Sequence, residues 1–330
     1  MAAKREEHHA ENQDRLQVGA ILRRIRRRDE IERMTPRTKA ELVLLATTFI
    51  WGGTFVIMKL GFADVSPFLF VAIRFSLGSL VFAAIFFRQL RAVKRPAFLK
   101  GIILGVLLGV GLVLQTYGLE ITTASKSAFI TGMMVVFTPM AQLVIERRLP
   151  KLGNIIGVIV VTAGLYFLTL PSGSGFNLGD ALTLLGAFLF GIYIVYLDIF
   201  TKKEEILPLV FLQIASTAIL GWMLVPFETP YLHLTWNVAR LFFYTAVLAT
   251  VITTYTQTRF QKDTTPTRAG ILFTLEPVIS ALLAYFILGE ILGMLGVLGG
   301  IIIVVGILIS ELSDKFLDRF HWKLKIADEE

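Results

Sequence analysis

The sequence contains no cysteine. Disulfides, thiolate metal sites and a cysteine nucleophile are excluded together, and the redox compartment is left unreadable. Histidine is nearly as scarce: His8, His9, His233 and His321 all lie outside the long apolar stretches, so those stretches hold no histidine metal or acid–base site. Charged residues make up 17% of the 330 residues against 55% hydrophobic ones, with a mean hydropathy of +0.70. That is too apolar for a soluble domain of this size to bury in one core. A Gly-x-x-x-x-Gly-Lys-Ser/Thr loop is also missing, so nucleotide hydrolysis within the chain is not expected.

What is present is ten apolar stretches, near residues 42–62, 66–87, 99–119, 124–145, 152–170, 178–200, 207–226, 238–258, 268–288 and 291–311. A bilayer core about 30 Å thick needs about 20 helical residues. A chain in lipid must close its own backbone hydrogen bonds, so the expectation is an all-α integral membrane protein with ten transmembrane helices. Breaks are marked by Ser66-Pro67, the basic stretch 88–100, Pro171-Ser-Gly-Ser-Gly175, Leu207-Pro208 and Thr264-Thr265-Pro266, all turn or helix-start chemistry.

The net charge of +7 matters through its placement. With a cytoplasmic N-terminus, 28 of the 32 Lys and Arg residues fall on the cytoplasmic side, the exceptions being Lys59, Arg74, Lys126 and Arg240. Short cytoplasmic loops carry such an excess, so both termini are expected in the cytoplasm, and no nucleic-acid partner is implied.

The chain also repeats. Thr122-Thr123 recurs as Thr264-Thr265, and Gly157 with Gly164 as Gly299 with Gly306, both at an offset of 142 residues. Pro67 matches Pro208 at 141 and Trp51-Gly52 matches Phe190-Gly191 at 139, while Pro139 against Pro277, at 138, breaks the register locally. Five spans is an odd number, so the second copy enters the bilayer from the opposite side, giving two inverted five-helix repeats. The resulting organisation is a basic tail over 1–40, repeats over 41–170 and 171–311, and a charged tail over 312–330. In the first tail, Val18, Ile21, Leu22 and Ile25 share one side of a helical wheel and Arg23, Arg24, Arg26, Arg27 and Arg28 surround the other. It reads either as a surface helix on the anionic leaflet or as a solvated tail.

Phe49-Ile-Trp-Gly-Gly-Thr54, Ala72-Ile-Arg-Phe75, Ala124-Ser-Lys-Ser-Ala-Phe-Ile-Thr-Gly132, and Leu275-Glu-Pro-Val278 followed by Gly289-Glu290 together resemble the drug/metabolite transporter superfamily, in its EamA-type branch. The likeness covers about Thr38 to Ser310. It implies a ten-helix metabolite carrier or exporter of the cytoplasmic membrane, with substrate in a central cavity between the halves. Two features depart from the pattern. Ile145-Glu146 stands where the second half has Gly289-Glu290, and residues 1 to about 34 have no counterpart. Met34-Thr-Pro-Arg-Thr-Lys39 resembles a family start, so the preceding segment reads either as a disordered tail or as a misassigned extension in front of it.

Ionisable groups within spans cost several kcal/mol unless paired, hydrated or neutral, which singles out Arg74 and Glu276. Arg74 either anchors a carboxylate or phosphate by its planar fork, or pairs with Glu276 or with backbone carbonyls to lock helices 2 and 9. Glu276 either binds an ammonium group or exchanges a proton, or takes that structural role. Trp51, Gln115, Tyr193 and Thr254 would complete a substrate or coupling site, with Thr253 and Gln257 in support. Tyr117 and Tyr255 read either as cavity groups or as interfacial anchors. Pro139 and Pro277 read as helix breaks or hinges, or as packing kinks. Glycines four apart, such as Gly105 with Gly109 and Gly153 with Gly157, imply close helix packing within the chain, or else a homodimer face.

The expected function is a secondary transporter that exports or exchanges a small organic, amino-acid-like metabolite by alternating access, with no enzymatic activity, cofactor or metal. Its partners are then a small-molecule substrate and the lipid bilayer. The alternative is a non-transporting membrane receptor or scaffold.

Overall fold

The computed structural model describes residues 34–169, 176–289, 291 and 293–327, and the side chains among them except 91–92, 168–169 and 311–327. The N-terminal basic tail, the 171–175 turn, Glu290 and the basic side chains of the C-terminal tail lie outside the described residues. Ten helical segments follow: α1 (Pro36–Gly61), α2 (Pro67–Phe86), α3 (Arg95–Ile121), α4 (Ala124–Glu146), α5 (Leu152–Thr169), α6 (Leu178–Thr201), α7 (Ile206–Phe227), α8 (Trp236–Asp263), α9 (Pro266–Leu288) and α10 (Met294–Ala327). Eight are long and apolar enough to cross a bilayer, whereas the apolar stretches of α5 and α10 are the shorter segments Leu152–Phe167 and Met294–Ser310. Among the described residues there is no β-strand, only an isolated bridge between Val65 and Leu232.

The helix starts follow from local chemistry. Thr35 caps α1 by accepting from the Thr38 N–H at 3.2 Å, with Pro36 in the first turn where its missing donor costs nothing. Thr123 caps α4 and Thr265 caps α9 in the same way, through Lys126 N and Arg268 N. Asn177 and Asp180 form a reciprocal capping box at α6. The start of α2 is capped from a distance: Glu228, beyond α7, accepts from Phe68 N at 3.0 Å and Leu69 N at 2.8 Å. The connection carrying Glu228 also holds Tyr231, whose hydroxyl donates to Phe62 O at 2.6 Å. Burial there, with Glu120 and Glu228 nearby, pushes the phenol up from its usual range.

Three helices are irregular. α4 breaks at Met133, between Ala124–Gly132 and Met134–Glu146, and α9 breaks at Thr274, between Pro266–Phe273 and Leu275–Leu288. Pro277 sits in the first turn after its break, where its missing N–H deprives the preceding segment of a hydrogen bond. Pro139 does not mark the break of α4; it stays inside the second segment. The third irregularity is a π-helical run over Phe243–Ile252 in α8.

The helix pairings exchange when the first five helices are swapped for the last five. α1 packs on α9 as α6 packs on α4, α3 packs on α6 as α8 packs on α1, and α3 packs on α7 as α8 packs on α2, while α2–α7 and α5–α10 are self-matching pairs. Close approach at the last pair depends on glycine. A Cβ on Gly164 would stand 2.8 Å from Gly299 O, and one on Gly306 would stand 3.2 Å from Gly157 O. The recurring glycines of the sequence therefore face one another inside the chain. Large apolar side chains such as Leu80, Val144, Ile159 and Phe286 are exposed, whereas Gln213, Thr183 and Asp180 are fully buried. An apolar exterior around a polar interior is what a lipid surround requires.

Candidate functional site

A cavity lies among α1, α2, α3, α4, α6, α8 and α9, the kind of space between bundled helices in which small molecules are held. Trp51, Arg74, Gln115, Tyr193, Thr254 and Glu276 all line it, so the six residues singled out from the sequence come together in one place. Both helix breaks open onto it: Thr131 and Met134 flank the break of α4, and Phe273 and Glu276 flank that of α9. Broken helices of this kind bring free backbone groups and helix ends to a buried site.

Arg74 and Glu276 form no salt bridge with each other. Instead, Arg74 Nε donates to Thr250 Oγ1 and one terminal nitrogen to Ala249 O, both at 2.9 Å, and the guanidinium lies 5.1 Å from the Phe75 ring centroid. Both acceptors, the Thr250 hydroxyl and the Ala249 carbonyl, sit in the π-helical run of α8, a rare geometry found often at functional sites. Arg74 thus ties α2 to α8, not to α9, and every one of these partners is uncharged. Glu276 is 7% exposed, and its carboxylate has no hydrogen-bond or ion-pair partner among the described residues. It occupies the first turn of the Leu275–Leu288 segment, where the helix dipole favours negative charge.

The remaining walls are partly pre-organised. Gln115 Nε2 donates to Thr131 Oγ1 at 2.8 Å, joining α3 to α4 just before its break. Tyr193 donates to Gln213 Oε1 at 2.7 Å, joining α6 to α7. Gln257 Nε2 donates to Gln261 Oε1 at 3.0 Å. Trp51 packs edge-on against Phe273, with ring centroids 5.2 Å apart, and Phe190, its counterpart in the repeat, lines the opposite half. Tyr117 and Tyr255 are not part of the lining: they stack on Phe68 and Phe86. Thr253 is buried beside the site with its hydroxyl unpartnered.

Sequence reasoning missed Thr54, Thr131, Met134 and Phe273 as lining residues. A signal for the last three was present. The threonine caps at Thr123 and Thr265 set a common origin, and the breaks at Met133 and Thr274 fall ten and nine residues beyond them, at nearly the same depth. Among the described residues no three His, Asp or Glu side chains gather as a metal ion would need.

The EamA-like transporter family model matches this chain twice, over residues 38–170 and 177–312. An uncharacterized transporter of Archaeoglobus fulgidus is 30% identical over 84% of this chain and 87% of its own length. Uncharacterized transporter YoaV of Bacillus subtilis is 22% identical over 83% and 97%. A solved crystal structure superposes with a TM-score of 0.70 at 19% identity, covering 85% of this chain and 99% of the other, which is a likeness of fold.

Proposed function

Starting from the fact that the chain belongs to the EamA-like transporter family, and is therefore a multipass membrane transporter of small molecules, we propose that it is a secondary carrier that exports or exchanges an amino-acid-like organic solute by alternating access. In this reading the two halves lie inverted in the cytoplasmic membrane with both termini in the cytoplasm, as the placement of Lys and Arg suggests. Trp51, Arg74, Gln115, Tyr193, Thr254 and Glu276 bind the solute or couple its movement, and the breaks beside Pro277 and ahead of Pro139 let α9 and α4 bend.

The observation that carries the proposal is the charge arrangement in the cavity. A cation held only by neutral partners and a carboxylate with no partner face the same space from different halves. Burying either uncompensated is costly, and a solute bearing both an anionic and a cationic group would satisfy both. Trp51 and Phe190 supply apolar walls for the rest of such a molecule. Without solute, Glu276 meets the same need by taking up a proton, which offers a route to coupling with a proton gradient.

The test compares metabolites accumulated outside cells with and without the protein, then follows the solute so found in proteoliposomes between pH 5 and 8. Transport should depend on pH, and Glu276→Gln should flatten that dependence. An unchanged pH profile would remove Glu276 from coupling, and a parent protein that moves no member of a broad metabolite panel would remove the carrier reading.

A further inference from the structure

Two buried charge clusters lie away from the cavity, one at the start of α4 and one at the start of α9. In the first, Lys126 Nζ meets Asp180 Oδ2 of α6 at 2.6 Å, and Thr122 donates to Asp180 Oδ1 at 2.8 Å. In the second, Arg268 Nε meets Glu41 Oε1 of α1 at 2.7 Å, and Thr264 donates to the same oxygen at 3.0 Å. The correspondence follows the repeat: Thr122 with Thr264 and Lys126 with Arg268 at an offset of 142 residues, Glu41 with Asp180 at 139. Each pair also crosses between halves, because Lys126 and Glu41 belong to the first and Asp180 and Arg268 to the second.

We propose that these two ion pairs are matched latches, Lys126–Asp180 closing the cavity at one face of the membrane and Arg268–Glu41 closing it at the other. This rests on the alternating-access reading. The physical case begins with burial: the four side chains are between 0% and 10% exposed. A dry ion pair holds together because parting it strands two charges without water. When the halves separate at that end, water enters and hydrates both charges, so the cost of parting falls as the opening forms. A dry pair is therefore a switch between closed and open, not a fixed rivet. Each pair has further anchors. Glu41 also accepts from Arg37 Nε at 3.0 Å, and Arg268 donates to Ser310 O at 3.2 Å on α10, whereas Asp180 is held in the capping box of its own helix by Asn177. The Arg268 latch thus ties α9 to both α1 and α10.

The absence of cysteine makes the test direct. A single Thr54→Cys reporter faces the cavity and is labelled by a membrane-impermeant thiol reagent applied from one face of sealed vesicles at a time. Asp180→Asn removes the charge yet keeps an acceptor for the Asn177 N–H, and Glu41→Gln is the equivalent change at the other end. Leaving Lys126 or Arg268 uncompensated when dry should raise the labelling rate about tenfold or more, from one face for Asp180→Asn and from the opposite face for Glu41→Gln. Lys126→Arg should retain the slow rate, and Lys126→Met with Asp180→Asn, which strands no charge, should be slower than either single variant. Labelling unchanged in both acid variants, raised from the same face in both, or highest in the neutral double variant would overturn the latch assignment. Since labelling is read without transport, latches that respond in a protein moving no solute would leave this inference standing and the carrier reading fallen. The converse outcome would do the reverse.

Discussion

At the rim of the bundle the two halves carry the same chemistry: Thr122, Thr123 and Lys126 meet Asp180 as Thr264, Thr265 and Arg268 meet Glu41. At the centre they do not. By the register of Pro67 with Pro208, Arg74 corresponds to Ala215, and by that of Thr122 with Thr264, Glu276 corresponds to Met134. Symmetric ends suit two arrangements of similar energy, in which one end opens as the other closes. A solute has no such symmetry, so the groups that recognise it must depart from the repeat. The departures, more than the repeats, mark the site.

That contrast can be broken from either side. The largest effect is expected in the frame, at Gly164→Val. The added Cβ meets Gly299 O and Ile303 N, both at 2.8 Å, so the backbones of α5 and α10 must part. An overpacking cost of about 3 kcal/mol would lower the thermal unfolding midpoint in detergent by roughly 4 °C. A stable Gly164→Val protein would show that this contact is not part of the frame. At the centre, Arg74→Lys should leave the unfolding midpoint close to the parent while transport falls about 10- to 100-fold, because an ammonium cannot reproduce the planar contact with Thr250 and Ala249. Full transport by that variant would reduce Arg74 to a generic positive charge. The smallest effect is expected at Tyr193→Phe, which removes one hydrogen bond to Gln213, worth about 1 kcal/mol, and should change transport by no more than about threefold.

Much of this was legible in the chain. Eight of the ten expected spans followed from apolar length, and the cavity residues followed from the rule that polar groups within a span need a reason. Arg74 and Glu276 stood out because so little else in the spans is charged. The partner of Arg74 was not legible, since the π-helical run over Phe243–Ile252 has no distinctive composition and meets α2 only in the folded chain. Prolines misled at α4, where the break falls at Met133 and Pro139 is accommodated within a helix. The latches went unread because Lys126 looked like an exception to charge placement and Glu41 like part of a basic tail. Pairing them required knowing which helix ends meet.

The inverted placement of the two halves underlies both the carrier reading and the latches, and one measurement bears on it most directly. Leu149, in the turn between α4 and α5, and Ile291, in the equivalent turn between α9 and α10, are both well exposed. Each can be made the sole cysteine of the chain and treated with an impermeant thiol reagent in intact cells. Inverted halves predict that Ile291→Cys is labelled at once and Leu149→Cys only after the membrane is permeabilised. Labelling of both from the same face would contradict the arrangement.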